Sequence, residues 1–282
     1  MNSSFAARLQ LNRPLIMGIL NVTPDSFSDG GVNLNPGVAC DRAWAMVREG
    51  ADLIDIGGES TRPGSLPVSP DEQCRRVLPV IEALLSDSGR QSRPFVSIDT
   101  SSSLVAQEAL ARGAVLVNDV TAGTGDPRMF DVVAKHDAHL VLMHMQGSPQ
   151  TMQEAPHYRN VVEEVSEYLL SRADVAIAAG IAREHLILDP GIGFGKTREH
   201  NLELLRHLNQ LCASGYPVLL GCSRKRFMGS LCDETDPVAL VGATVATTAL
   251  GIEQGVQLFR VHDVRPNRQA ADVAWHLTNS RN

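Results

Sequence analysis

The chain has 282 residues, 43% of them hydrophobic and 20% charged, with a formal net charge of −7. That is the balance of an ordinary folded protein. It argues against a generic nucleic-acid binder, which would carry a basic stripe or patch. Aromatic residues are only 4%, so the core must rest on Val, Leu, Ile and Ala, as in parallel sheets covered on both faces. The five cysteines, Cys40, Cys74, Cys212, Cys222 and Cys232, are odd in number and contain no C-x-x-C pair. A disulfide framework or zinc site is not expected, and a reducing cytoplasmic location fits. No apolar run is long enough to cross a membrane, and Met1 to Asn12 lacks the apolar stretch of a secretory leader.

Short aliphatic runs alternate with longer amphipathic stretches along the whole chain. The runs, predicted as strands, lie at 15–20, 52–57, 94–98, 114–118, 138–143, 185–189, 217–221 and 257–261. Their apolar positions are continuous, the pattern of buried parallel strands. A helix is predicted over 36–49, opening on Pro36 and stopping before Gly50. Ser69-Pro70-Asp71-Glu72 opens the next with a cap, an N1 proline and two acids. Further helices are expected at 104–112, from Asp126-Pro127 to about 136, and at 158–179, 198–213, 237–253 and 265–278. Eight strand–helix units in strict alternation define an α/β protein, a single (β/α)8 TIM barrel occupying 1–282 with its core at about 14–279. A doubly wound sheet is the runner-up. It would place a glycine fingerprint after the first strand, where this chain has Asn21-Val22-Thr23-Pro24.

In such barrels the loops after the strands carry the chemistry. Every strand here closes on a polar group: Asn21, the GGESTRPG stretch at 57–64, Asp99, Asn118 with Asp119, His144, Asp189, the Ser223–Arg226 stretch, and Arg260 with His262. Any one of them could simply cap a turn. Together they must satisfy one another or await a polar ligand. Asp99, Asn118 and Asp189 suit a flat heterocycle rich in N–H groups, and Lys225 suits a ring carbonyl or nitrogen. Arg62, Arg260 and His262 suit phosphate or diphosphate. Alternatively, Arg260 pairs with Asp263 or another rim acid, and His262 is a satisfied rim histidine. Gly191 to Thr197 looks like a P-loop, but that motif needs four residues between its first Gly and the Gly-Lys pair, and only three are present. What remains is a glycine loop beside the site, with Phe194 able to pack on a ring. No H-E-x-x-H is present, so a divalent ion would be a hard Mg²⁺ sharing substrate phosphates.

As a set, these segments resemble the dihydropteroate synthase family of pterin-binding barrels. The motifs are MGILNVTPDSFSDGG at 17–31, IGGESTRPG at 56–64, VSIDT at 96–100 and NDV at 118–120. LMHMQGSPQTMQ at 142–153, LDPGIGFGK at 188–196, SRKRFMG at 223–229 and RVHDV at 260–264 complete them. The resemblance implies condensation of 6-hydroxymethyl-7,8-dihydropterin diphosphate with p-aminobenzoate, with Mg²⁺ as cofactor. It implies that Asp99, Asn118, Asp189 and Lys225 hold the pterin, and that Asn21 ligates Mg²⁺. Asn21, Arg62, Arg260 and His262 would hold the diphosphate. Phe27, Thr61, Arg62, Pro63, Phe194 and Arg226 would lie near the aminobenzoate. Asp99, Lys225, Arg260 and His262 would carry the catalysis. Family members are commonly homodimers; neither a nucleic-acid nor a membrane partner is implied.

This chain reads SRKR where many members read SRKS. Arg226 could pair with the aminobenzoate carboxylate or face solvent. The second loop keeps Thr-Arg-Pro, from which sulfonamide inhibition is expected. A methyltetrahydrofolate–corrinoid methyltransferase would share the pterin acids but needs neither the aminobenzoate loop nor a diphosphate grip. A non-catalytic pterin-binding barrel would show degraded rim residues.

Overall fold

Strand follows helix along the whole of the computed structural model, which describes residues 4–11, 13–23, 36–60, 65–86 and 93–279. The strands are β1 (Leu15–Asn21), β2 (Leu53–Gly57), β3 (Phe95–Asp99), β4 (Leu116–Asp119), β5 (His139–Met143), β6 (Leu186–Asp189), β7 (Leu219–Leu220) and β8 (Leu258–Val261). All pairings are parallel, in the order β6-β5-β4-β3-β2-β1-β8-β7. A single parallel bridge, Leu188 to Val218, joins the two outer strands. It turns the sheet into a nearly closed barrel and overturns the doubly wound alternative. Pro217 has no N–H to donate, and β7 is accordingly shorter than the predicted run.

The described helices are α1 (Phe5–Gln10), α2 (Pro36–Arg48), α3 (Pro70–Ser86), α4 (Ser103–Ala111), α5 (Met129–Lys135), α6 (Val161–Ala178), α7 (Arg198–Arg206), α8 (Leu208–Cys212), α9 (Arg226–Cys232), α10 (Val241–Glu253) and α11 (Val264–Asn279). Their differences from expectation have local causes. α6 starts at Val161 because the Asn160 side chain accepts from Val162 and Glu163 N–H, an N-cap within the predicted 158–179. It stops at Gly180, whose φ of +99° suits glycine best. The predicted 198–213 helix breaks at His207, where φ is −121°, giving α7 and α8. α10 is preceded by a separate 3-10 turn, Pro237–Ala239, capped by Asp236. Asp126 opens no helix directly: its carboxylate accepts from Ser103 N–H at 2.9 Å at the start of α4 and from Arg128 N–H at 3.0 Å.

Each strand presents two faces. Ile54, Ile56, Val96, Ile98, Val117, Leu140, Leu142, Leu188 and Val261 pack among buried residues of the helices. The alternate positions Leu15, Met17, Leu53, Leu116, Val141, Ile187, Leu219 and Leu258 form a separate cluster. Because side chains alternate along a strand, this second set fills the barrel interior. Phe5 of α1 joins it, with its ring 5.4 Å from Phe95 and 4.8 Å from His139. The packed structure therefore begins before residue 14. Two residues beyond Leu53, Leu116, Ile187 and Leu258 the same inward parity reaches Asp55 on β2, Asn118 on β4, Asp189 on β6 and Arg260 on β8, with Asp99 following inward-facing Ser97 on β3. A largely polar layer therefore sits above the aliphatic one.

Candidate active site

Strand register gathers the first group of this layer. Asp55 of β2 lies opposite Ser97 of β3, Asp99 opposite Asn118 of β4, and Arg260 of β8 opposite Met17 of β1. Arg260 donates from Nε to Asp55 Oδ2 and from Nη2 to Asp99 Oδ2, each at 2.6 Å. Asn118 Nδ2 donates to the same Asp55 oxygen at 3.0 Å. Asp263 is not the partner of Arg260; it pairs with Arg224. Two buried carboxylates thus share one guanidinium. Burial pushes the Asp99 pKa up to about 7; Arg260 opposes that rise and Asp55 reinforces it. The two carboxylates in turn raise the Arg260 pKa against desolvation. Asp55 Oδ1 and Ser97 Oγ are buried with no hydrogen-bond partner among the described residues, an arrangement that normally needs a ligand or water.

Asp189 ends β6. Its Oδ1 accepts from Gly191 N–H at 2.7 Å. Burial raises its pKa to about 6, with that hydrogen bond, Lys225 and Arg260 opposing. The glycine loop that follows brings Phe194 up to the Lys225 ammonium, 4.1 Å above the ring centroid. Lys196, the residue that makes this loop look like a P-loop, turns inward. Its Nζ is buried and reaches Gly191 O and Phe194 O at 3.0 Å and His144 Nδ1 at 2.9 Å. It is therefore no phosphate-binding lysine.

The loops after β7 and β8 are tied together. Ser223 Oγ accepts from His262 N–H at 3.1 Å and lies 3.0 Å from His262 Nδ1. Arg224 holds Asp263 with two hydrogen bonds, at 3.0 and 2.7 Å. It does so from a left-handed backbone, φ +57°, which a non-glycine residue keeps only when its surroundings enforce it. Arg226 is exposed at the first position of α9. Asn21, half-buried, ends β1 opposite Gly57. Phe27, Thr61, Arg62 and Pro63 lie outside the described residues.

The structure thus joins Asp99, Asn118 and Arg260 in one hydrogen-bonded group, places Asp189, Phe194 and Lys225 on an adjoining wall, and ties His262 to Ser223. Sequence reasoning missed Asp55 and the Arg224–Asp263 pair, and it named Ser223 only as a strand-end group without its tie to His262. Asp55 had a readable signal: an acid inside an aliphatic run, two residues after Leu53. Among the described residues, no three His, Cys, Asp or Glu side chains gather as a metal site. Among the described residues, the half-buried Asn21 side chain at the end of β1 could offer a neutral oxygen to a divalent ion. That fits Mg²⁺, which keeps waters and takes its remaining ligands from phosphates.

A nearly closed parallel barrel whose mouth carries buried carboxylates and an amide has the architecture of a pterin-binding barrel, and residues 17–262 match the family described as pterin binding enzyme. The dihydropteroate synthase of Synechocystis sp. is 45% identical over 267 residues, 93% of this chain and 91% of that protein. The Xanthomonas albilineans dihydropteroate synthase solved with 4-aminobenzoic acid is 45% identical with a TM-score of 0.87, over 95% of this chain and 94% of that one. The Yersinia pestis dihydropteroate synthase solved in a sulfonamide drug complex is 42% identical with a TM-score of 0.88, over 96% of both. The chain belongs to the dihydropteroate synthase family, transferases of folate synthesis.

Proposed function

We propose that this chain condenses 6-hydroxymethyl-7,8-dihydropterin diphosphate with p-aminobenzoate, giving 7,8-dihydropteroate and diphosphate. The observation that carries this reading is the inward layer Asp55, Asp99, Asn118 and Asp189, with two buried polar atoms lacking partners among the described residues. Pterin ring N–H groups would donate to the carboxylates, and Asn118 and Lys225 would meet the ring's acceptors. The bond between the exocyclic CH₂ and the diphosphate oxygen breaks, and its electron pair leaves with the diphosphate. Arg260 and His262 would stabilise that charge. Arg260 spends two of its three nitrogens on Asp55 and Asp99, so it also couples the pterin acids to the diphosphate side.

The remaining pterin cation is delocalised, and ionised Asp99 would stabilise it electrostatically. The aryl amine then adds to the CH₂, forming the C–N bond and losing a proton. No enzyme nucleophile is required. Asn21 would hold Mg²⁺, which when bound supplies charge neutralisation at the diphosphate. Arg62 would add to the diphosphate grip. Phe27, Thr61, Arg62, Pro63, Phe194 and Arg226 would surround the aminobenzoate.

We further propose a cytoplasmic homodimer. All five cysteines are free, and no helix among the described residues is long and apolar enough to cross a membrane. Val273 and Leu277, one turn apart on α11, are exposed, as is Leu250 on α10, a surface that suits a second copy. Sedimentation should give twice the chain mass.

The deciding assay follows diphosphate release from the pterin diphosphate, with and without p-aminobenzoate and Mg²⁺. Mg²⁺-dependent release matched by dihydropteroate is expected. Pterin binding without release would make this a non-catalytic barrel, and methyl transfer without diphosphate would make it a methyltransferase.

A further inference from the structure

Lys196 is a buried amine whose pKa burial pushes down to about 7, with Asp189 opposing and Lys225 adding to the fall. Its hydrogen-bond partners are carbonyl and ring atoms rather than carboxylates. Its Nζ is surrounded by Gly191 O and Phe194 O at 3.0 Å, His144 O at 3.3 Å and His144 Nδ1 at 2.9 Å. In its protonated form the amine can only donate, so His144 Nδ1 is then the acceptor and its ring neutral. Burial and the nearby Lys196 charge push the His144 pKa down to about 3, in keeping with that tautomer. Three carbonyl oxygens and a ring nitrogen around one amine form a cage of acceptors suited to a positive charge, here supplied by the chain itself.

The cage joins two loops. Gly191, Phe194 and Lys196 follow β6, and His144 follows β5. The backbones touch: a Cβ at Gly191 would run into the His144 carbonyl and one at Gly195 into the Gln146 carbonyl. Other side chains hold the same loop. Tyr158 Oη donates to Gly195 O at 2.8 Å, Gln153 Nε2 donates to Gly193 O at 2.7 Å, and Gly193 N–H donates to Asn201 Oδ1 at 2.7 Å. The far side of this loop carries Phe194 and buttresses Lys225, whose Cδ would lie 3.1 Å from a Cβ at Gly193.

We propose that the Lys196 ammonium is a built-in monovalent cation that locks the loops after β5 and β6 together, and so positions Phe194 and Lys225 for the substrates. Lys196 is a positioning residue in this scheme. The proposal rests on the reading above, in which Phe194 and Lys225 face the aminobenzoate and the pterin. Without the cation the loop samples other positions. Affinity then falls by the fraction of time the loop is correctly placed, and saturating substrate restores it.

The test is steady-state kinetics of Lys196→Ala, with its fold checked by circular dichroism and thermal melting, in the presence of propylammonium, ammonium or sodium chloride at equal ionic strength. Losing charge-assisted hydrogen bonds should raise KM for p-aminobenzoate by about tenfold or more, while kcat at saturation stays within about threefold. Propylammonium, which replaces the missing stem and head, should restore most of the loss, and sodium should not. An unchanged KM, or a loss in kcat that no amine rescues, overturns the proposal. Should Lys196→Ala fail to fold, Tyr158→Phe removes one bond from the same loop and should raise the same KM by a smaller factor; no rise again overturns it. Phe194→Leu and Lys225→Met separate the two levels. If neither affects either substrate's KM, the site reading itself fails. If both do while Lys196→Ala does not, only the cation's role fails.

Discussion

Replacing Asp99 by Asn should raise the stability of the unliganded protein while removing most of its turnover. Asp55 and Asp99 share the single Arg260 guanidinium inside the mouth, and burial lifts the Asp99 pKa from 3.8 to about 7. Keeping that carboxylate ionised above neutral pH therefore costs the fold on the order of a few kcal/mol, with the attraction of Arg260 already counted in that balance. Asparagine removes this penalty and leaves Arg260 a neutral acceptor, so the expected gain is on the order of 1–3 kcal/mol, or roughly 2–12 °C in Tm for a chain of this size.

The pH dependence has a definite sign. Asp99 binds its proton more tightly folded than unfolded, so its penalty is absent below the unfolded pKa of 3.8. It grows as pH rises and is complete above about 7. Thermal melts of both proteins without ligand should show the gain at pH 8 and a smaller or reversed difference at pH 5. Turnover should fall by about 100-fold, because the amide cannot stabilise a developing cation. A lower Tm at pH 8, or near-normal turnover, would refute the reasoning.

The converse change, Arg260→Met, leaves two buried carboxylates without their counter-charge. It should cost about 3–5 kcal/mol in urea unfolding at pH 8, and an unchanged midpoint would show that the two acids do not depend on Arg260. His139, under α1, has its Nε2 buried without a partner among the described residues, and burial with the adjacent His185 lowers its pKa to about 4. Its folded form resists protonation, so stability falls by up to about 1.4 kcal/mol per pH unit as pH drops from roughly 6.5 towards 4. His139→Phe should therefore stabilise the protein more at pH 5 than at pH 8, and equal Tm differences at the two values would count against it. Sulfamethoxazole should inhibit competitively with p-aminobenzoate, since the chain keeps Thr61-Arg62-Pro63; turnover unaffected by a large excess of the drug would remove that expectation.

The eight strands were legible because burial on both faces leaves long aliphatic runs, and a run such as 138–143 has few other readings. α1 was not, because six residues with one buried side chain, Phe5, carry no periodic signal; its place is decided by the aromatic contacts it finds beneath the barrel. The strand-end residues Asp99, Asn118 and Asp189 were legible as an acceptor set, yet their partners were not. Asp55 is separated from Arg260 by 205 positions, and only the β8–β1–β2 register brings them together. Reading Asp52 to Gly57 as a continuous apolar run also hid the useful fact that Asp55 shares inward parity with Leu53. Lys196 shows the opposite limit. Its neighbours in sequence suggest a phosphate loop, whereas its direction is set by the close approach of Gly191 to the His144 carbonyl, a contact between different loops. Along each strand, then, inward parity separates two tasks. The layer at Leu53, Leu116 and Leu258 fills the barrel, and the positions two residues on, Asp55, Asn118 and Arg260, concentrate polar and charged groups where filling would have been cheaper. The fold tolerates the second layer because the first is complete beneath it, which is why removing one excess carboxylate should stabilise the barrel even as it disables the mouth.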